Sequence, residues 1–152
     1  MHEAGARRSG WLFYRPNCPD CSACMPLRVP VATFRPSRSQ KRVLRRNADV
    51  EVEVGAPKID AERVALYNKH LFERDLNTND EPISAEQYGE WLVQSGIETL
   101  EFAYRAQGVL MGIGLVDMGA HDGSSVYFYF DPSQGKRSLG TFSVLKEMEW
   151  LK

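Results

Sequence analysis

Three cysteines, Cys18, Cys21 and Cys24, recur at three-residue steps and run on into a basic stretch that ends Arg45-Arg46-Asn47. Thiolates at this spacing are soft ligands for zinc or an iron–sulfur cluster, and four ligands complete either type of site. The chain has only three cysteines, so a fourth ligand within it would be His2. The alternative is three reduced thiols in a loop without metal. Three thiols within seven residues make poor disulfide geometry and suit a reducing, cytoplasmic setting.

The basic stretch asks for a polyanion. Residues 1–46 carry ten Lys and Arg against two acids, Glu3 and Asp20, whereas residues 47–152 carry nine against eighteen. The formal net charge of −1 therefore conceals two halves of opposite sign. Lys and Arg contacts to phosphate give salt-dependent affinity through counterion release. Arg35, Arg38, Lys41, Arg42, Arg45 and Arg46 are the candidates, and their spacing keeps several on one helical side. Internal pairing of Arg38 and Arg46 with the acidic half is the competing view, since guanidinium suits carboxylates as well as phosphates.

The elements that must position these groups follow from pattern. At 152 residues and 43% hydrophobic content the chain fits one domain with a core. No apolar run approaches the roughly 18–20 residues of a membrane span. The start has no apolar stretch after Arg7-Arg8 and does not read as a signal peptide. Residues 1–27 read as irregular loop, and Leu27–Phe34 as an edge strand with Pro30 in it. Ser37 or Ser39 caps a short helix ending near Arg46. Residues 49–54 alternate as a half-exposed strand. Asp60 opens a helix to about Asp75 with Val64, Tyr67, Leu71 and Phe72 on its apolar face.

Asn77–Pro82 reads as a polar loop. Ser84 and Gln87 form a capping box for a helix that buries Tyr88, Trp91 and Leu92 and stops at Gly96. The period then changes to two. Thr99–Arg105 and Val109–Met118 are strands joined at Gln107-Gly108, the second buried on both faces, with Gly112 and Gly114 marking a bulge or a close approach. His121–Ser125 is a turn and Val126–Phe130 a third strand, with Tyr127 and Tyr129 on one face and Phe128 and Phe130 on the other. A loop, residues 133–137, leads into a helix from about Ser138. His70 and His121 look like helix-surface and loop residues and receive no role. The architecture is α+β. The chain stops inside that last helix, which suggests that the C-terminal part of the fold is missing.

Four segments, Arg7–Gly10, Tyr14–Arg28, Phe34–Asn47 and Tyr127–Leu145, resemble the aminoacyl-tRNA–protein transferases in wording and order. The bacterial branch, which moves leucyl onto proteins beginning with Asp or Glu, looks nearer than the sister arginyl branch. The resemblance implies transfer of an aminoacyl group from aminoacyl-tRNA to an N-terminal α-amine, in N-degron proteolysis. It also implies a mixed sheet with flanking helices similar to GCN5-related acyltransferases. A Cys-rich basic region, 1–46, would bind tRNA and metal ahead of a partial acyltransferase-like domain, 47–152. Family members usually have further residues at both ends, so an inactive tRNA-binding fragment is the alternative.

Transfer itself requires no cofactor, because an aminoacyl ester is already activated; an iron–sulfur cluster or zinc would be an accessory. The reaction needs an amine freed of its proton and a stabilised oxyanion. Asp131 would orient or deprotonate the amine, or else cap the turn at Pro132. Tyr127 or Tyr129 would donate a hydrogen bond. Lys136, Arg137, Ser138 and Gly140 would grip the tRNA 3′ end at a helix N-terminus. Arg8, Arg15 and Arg28 sit in matching motifs and are candidate clamps for the acidic acceptor. No membrane partner is implied, and the oligomeric state is not legible.

Overall fold

The computed structural model describes residues 6–77 and 81–152. Residues 78–80 of the expected polar loop, and the candidate ligand His2, lie outside the described residues. The N-terminal stretch is not wholly irregular: β1 (Arg7–Ser9) and β2 (Leu12–Tyr14) pair antiparallel around Gly10, whose φ is +55°. The expected strand at Leu27–Phe34 is absent. That segment instead makes a turn in which Thr33 and Phe34 donate to the Pro30 carbonyl. Pro30 cannot donate to a strand neighbour, and its carbonyl nucleates the turn.

α1 (Arg38–Arg46) begins at Ser37, whose hydroxyl accepts from Gln40 N while the Gln40 side chain accepts from Ser37 N. β3 (Glu51–Gly55) follows, then α2 (Ala61–Glu73), capped by Asp60. α3 (Ala85–Tyr88) has the expected Ser84–Gln87 capping box, and it widens into a π-helical turn, Gly89–Val93. Tyr88 and Leu92 are buried, but Trp91 is 45% exposed, because the wider turn rotates it off the apolar stripe.

β4 (Thr99–Ala106), β5 (Val109–Met118) and β6 (Gly123–Phe130) complete a four-stranded antiparallel sheet in the order β3-β4-β5-β6. β6 starts earlier than its apolar run suggests, so the turn before it is residues 119–122. The expected loop is a 3-10 turn, Pro132–Arg137, and α4 (Leu139–Trp150) follows it. This is the mixed α+β class the sequence implies.

Two clusters cover the sheet. On one face, Leu66, Tyr67 and Leu71 of α2 and Tyr88 and Leu92 of the α3 segment pack on Ala103, Ile113, Leu115 and Tyr129. On the other, Phe142 and Leu139 of α4, with Val43 and Leu44 of α1, pack on Phe102, Tyr104, Met111 and Phe128. β6 supplies tyrosines to the first and phenylalanines to the second, as its alternation requires. Gly112 and Gly114 are close approaches. A Cβ at Gly112 would lie 3.1 Å from the Phe128 ring, and one at Gly114 2.7 Å from Glu147 Oε1.

Candidate functional site

The basic run becomes a helix because Ser37 and Gln40 close its first turn and no residue in it breaks the ladder. Arg45 and Arg46 sit in its last turn, where cations favour the negative end of the helix dipole. Val43 and Leu44 face the sheet, which leaves Arg38, Lys41, Arg42, Arg45 and Arg46, together with Arg35 just upstream, exposed.

The end of α1 is tied to the 3-10 turn ninety residues later. Arg46 donates to the Lys136 carbonyl. Buried Asn47 donates through Nδ2 to the Arg137 carbonyl at 2.9 Å and to Val43 at 3.0 Å. Arg137 makes a two-pronged pair with Asp49, both contacts 2.8 Å, and this hydrogen-bonded guanidinium holds the Asp49 carboxyl below its ordinary range. The two basic segments singled out from sequence therefore form one surface. Lys136 is exposed on it, whereas Arg137 is partly engaged by Asp49.

Ser138 adopts a left-handed backbone, φ +56°, and its side chain makes no cap hydrogen bond to α4. A Cβ at Gly140 would come no nearer than 3.9 Å to Phe128, so no close approach within the chain explains this glycine. It instead opens a groove of about 260 Å³ lined by Gln40, Thr141, Val144, Leu145 and Met148.

The candidates on β6 fare differently. Tyr129 is fully buried, 2.6 Å from the Tyr88 hydroxyl, and burial pushes its pKa far above the ordinary phenol range. So placed, it cannot reach a substrate. Tyr127 is half-buried beside Tyr67. Asp131 accepts from Ser133 N at 2.9 Å, capping the 3-10 turn, and pairs with Lys69 Nζ at 2.8 Å. Burial raises its pKa, but the Lys69 and Ser133 hydrogen bonds outweigh that and hold it below its ordinary value. It is a fixed carboxylate rather than a strong base.

At the N-terminus, Arg8 gives both prongs to Asp117, at 2.7 and 2.9 Å, with side chains 2% and 3% exposed. An arginine so occupied is not available as an acceptor clamp. Arg15 and Arg28 are exposed. Cys18, Cys21 and Cys24 are exposed and line one concavity of about 450 Å³ with Asn17, Asp20 and Ser22. Among the described residues, no three His, Cys, Asp or Glu side chains converge in an arrangement that would hold a metal ion. The residues as placed do not fit a complete zinc or cluster site, and no chemical step is assigned to one.

Residues 62–152 match the family model described as arginine-tRNA-protein transferase, C terminus, and residues 1–42 match its N-terminus counterpart. The chain belongs to this transferase family. Named relatives include the aspartate/glutamate leucyltransferase of Pseudomonas fluorescens (strain SBW25), 39% identical over 95% of this chain and 62% of its own length. That of Stenotrophomonas maltophilia (strain K279a) is 39% identical over 96% of this chain and 61% of its own. That of Methylobacillus flagellatus is 37% identical over 97% and 60%. The chain thus spans about three fifths of the length of the curated relatives it matches. Among the described residues, no helix is long and apolar enough to cross a membrane.

Within this transferase fold, several buried polar residues escaped the sequence reading. His70 is not on the helix surface: it is 2% exposed, and its Nδ1 lies 2.9 Å from the Phe130 carbonyl. Burial lowers its pKa, with Arg74 adding to that and the hydrogen bond to the Phe130 backbone opposing it, so the neutral imidazole is favoured. Arg63 holds Glu101 through contacts of 2.6 and 3.0 Å. Glu147 is 3% exposed and leaves Oε1 without a partner. One signal was available: Arg63 and His70 flank Tyr67 at −4 and +3, on the stripe that buries it.

Proposed function

We propose that this chain moves an aminoacyl group, leucyl in first place, from aminoacyl-tRNA to the α-amine of proteins beginning with Asp or Glu. The observation that carries this reading is the joining of α1 to the β6–α4 turn through Arg46 and Asn47. It puts a row of exposed cations beside a helix N-terminus, which suits a tRNA backbone leading to its charged 3′ end. The relatives' names favour leucyl, and the family description favours arginyl as the second reading.

In this reading residues 1–46 bind tRNA and residues 47–152 carry the transfer. Arg35, Arg38, Lys41, Arg42, Arg45 and Arg46 contact phosphates, and Lys136, Ser138 and Gly140 meet the 3′ end, with Arg137 bracing the turn. The acceptor amine, once deprotonated, attacks the ester carbonyl, and the tRNA ribose hydroxyl leaves with a proton. Asp131, held as a carboxylate, attracts and orients the incoming ammonium rather than abstracting its proton. Tyr127 donates a hydrogen bond in place of buried Tyr129. Arg15 and Arg28 draw the acidic side chain of the acceptor. The ester is activated already, so transfer needs no cofactor. The free thiols and the tRNA substrate suit the cytoplasm and an N-degron role.

Labelled leucine and labelled arginine, each on its tRNA, are offered to reporters beginning Asp, Glu or Ala. Leucine on the Asp and Glu reporters alone is the expected result. Arginine in its place reverses the donor. Binding of tRNA without transfer of either reduces the chain to a tRNA-binding role, and no binding removes the reading.

A further inference from the structure

The β1–β2 hairpin has little apolar reason to stay where it is. Its strands are three residues each, and Trp11, Leu12, Phe13 and Tyr14 are all more than a third exposed. A two-stranded ribbon of this size is not stable alone. Its buried residues are Arg8 and Gly10. Arg8 reaches 109 residues along the chain to Asp117 at the end of β5. Thr99 on β4 donates to the same carboxylate at 2.7 Å, so Asp117 is fully engaged. The remaining Arg8 nitrogen donates to the Gly10 carbonyl at 3.1 Å and reaches Gln94 O at 3.4 Å. Around this pair the fit is tight but small. A Cβ at Gly10 would lie 2.7 Å from Glu90 O, the Trp11 ring rests on Gly96, and Trp11 Nε1 donates to Gln94 Oε1 at 3.2 Å.

We propose that Arg8 and Asp117 form a latch between the cysteine-bearing N-terminal segment and the sheet, and act as positioning residues for the nucleic-acid surface. The physical reason is the asymmetry of a buried pair: removing one partner strands the other charge away from water. The cheapest escape is local. Lifting the hairpin hydrates Asp117 and leaves β4 and β5 paired, because their ladder does not depend on β1. The hairpin's other face carries Arg7 opposite Tyr14, and Arg15 follows directly. The latch fixes these cations relative to α1, a consequence that rests on the tRNA reading above.

Hydrogen exchange of the full chain, read by mass spectrometry, tests the latch without tRNA. Arg8→Ala speeds exchange across residues 6–15 by about tenfold or more while residues 99–118 keep their protection. Arg8→Lys, which keeps the charge but not the fork, falls between. Asp117→Asn, nearly isosteric, reproduces the release if the alanine variant does not fold. Equal loss of protection in 6–15 and 99–118 would make the pair a general brace and overturn the proposal, as would unchanged exchange in both variants.

Salt titration of uncharged tRNA binding supplies the positioning readout. In Arg8→Ala the slope of log affinity against log salt falls by about one, as Arg7 loses its place. An unchanged slope in a released hairpin overturns the positioning role. In Arg45→Ala the slope falls by about one while exchange in 6–15 stays as in the parent. Failure of the parent chain to bind tRNA would defeat the proposed function and leave the exchange result to decide the latch.

Discussion

The two faces of the sheet carry similar aromatic loads and treat polar groups in opposite ways. On the α2 face, Tyr88 and Tyr129 share a hydrogen bond, His70 meets the end of β6, and Arg63 is enclosed by Glu101 and Asp60. Each charged or polar head has a partner. On the α4 face, phenylalanines and Tyr104 dominate, and the one buried acid, Glu147, keeps an unpartnered oxygen over Gly114. Burial holds the Glu147 carboxyl up at about 7, against a smaller lowering by a hydrogen bond with Ser125. The first face satisfies charge by pairing, and the second by suppressing it.

Three substitutions separate these strategies. The largest effect is expected at Glu101→Ala, which leaves Arg63 buried with only half-exposed Asp60 for company. Urea unfolding should show a loss of about 3–5 kcal/mol. A loss below ~1 kcal/mol would mean that Arg63 rehydrates easily and that pairing is not what stabilises this face.

Glu147→Gln probes the other strategy through pH. The unfolded carboxyl has an ordinary pKa of 4.5, and the folded one is raised to about 7. Below the unfolded value both states are protonated and burial carries no ionisation penalty. As pH climbs toward 7 the unfolded chain releases its proton first, so stability falls, and above the folded pKa it levels off. The fall is on the order of 3 kcal/mol. Glutamine cannot ionise. The variant should therefore match the parent's pH trend below 4.5 and gain on it up to about pH 8, measured as melting temperature against pH. Parallel curves would remove Glu147 as the source.

The smallest effect belongs to Tyr129→Phe. It removes one hydroxyl and leaves that of Tyr88 buried, for about 1 kcal/mol. The Tyr88 phenol, pushed up to about 12 chiefly by burial, would also lose the Tyr129 hydrogen bond that lowers it. Alkaline titration of its absorbance should move upward.

Much of the scaffold was legible because local chemistry and tertiary role agree. Ser37 with Gln40, Asp60, and Ser84 with Gln87 open helices where their side chains predict. The alternation of Tyr127 to Phe130 divides the two clusters, and Gly112 and Gly114 mark real close approaches. The hairpin at Arg7–Tyr14 was not legible, since its placement depends on a carboxylate 109 residues away. His70 misled for the same reason: a polar residue on an apolar stripe declares itself only when its partner, the end of β6, is known. For the candidate site, sequence found the basic row and the β6–α4 turn separately. Their junction through Asn47 had no local signal, because an asparagine after a helix reads as an ordinary stop.

That junction bears on how the chain is made. α1 leaves the ribosome long before the 3-10 turn that anchors it, and Arg8 before Asp117. The cationic third of the molecule therefore waits, solvated and unmoored, while the β4–β5–β6 meander closes through short connections. Contacts of such long sequence separation cost more loop-closure entropy than those of the meander. The segment charged enough to attract nucleic acid is thus held by contacts that only later-synthesised residues complete, and until then its own charge keeps it in solution.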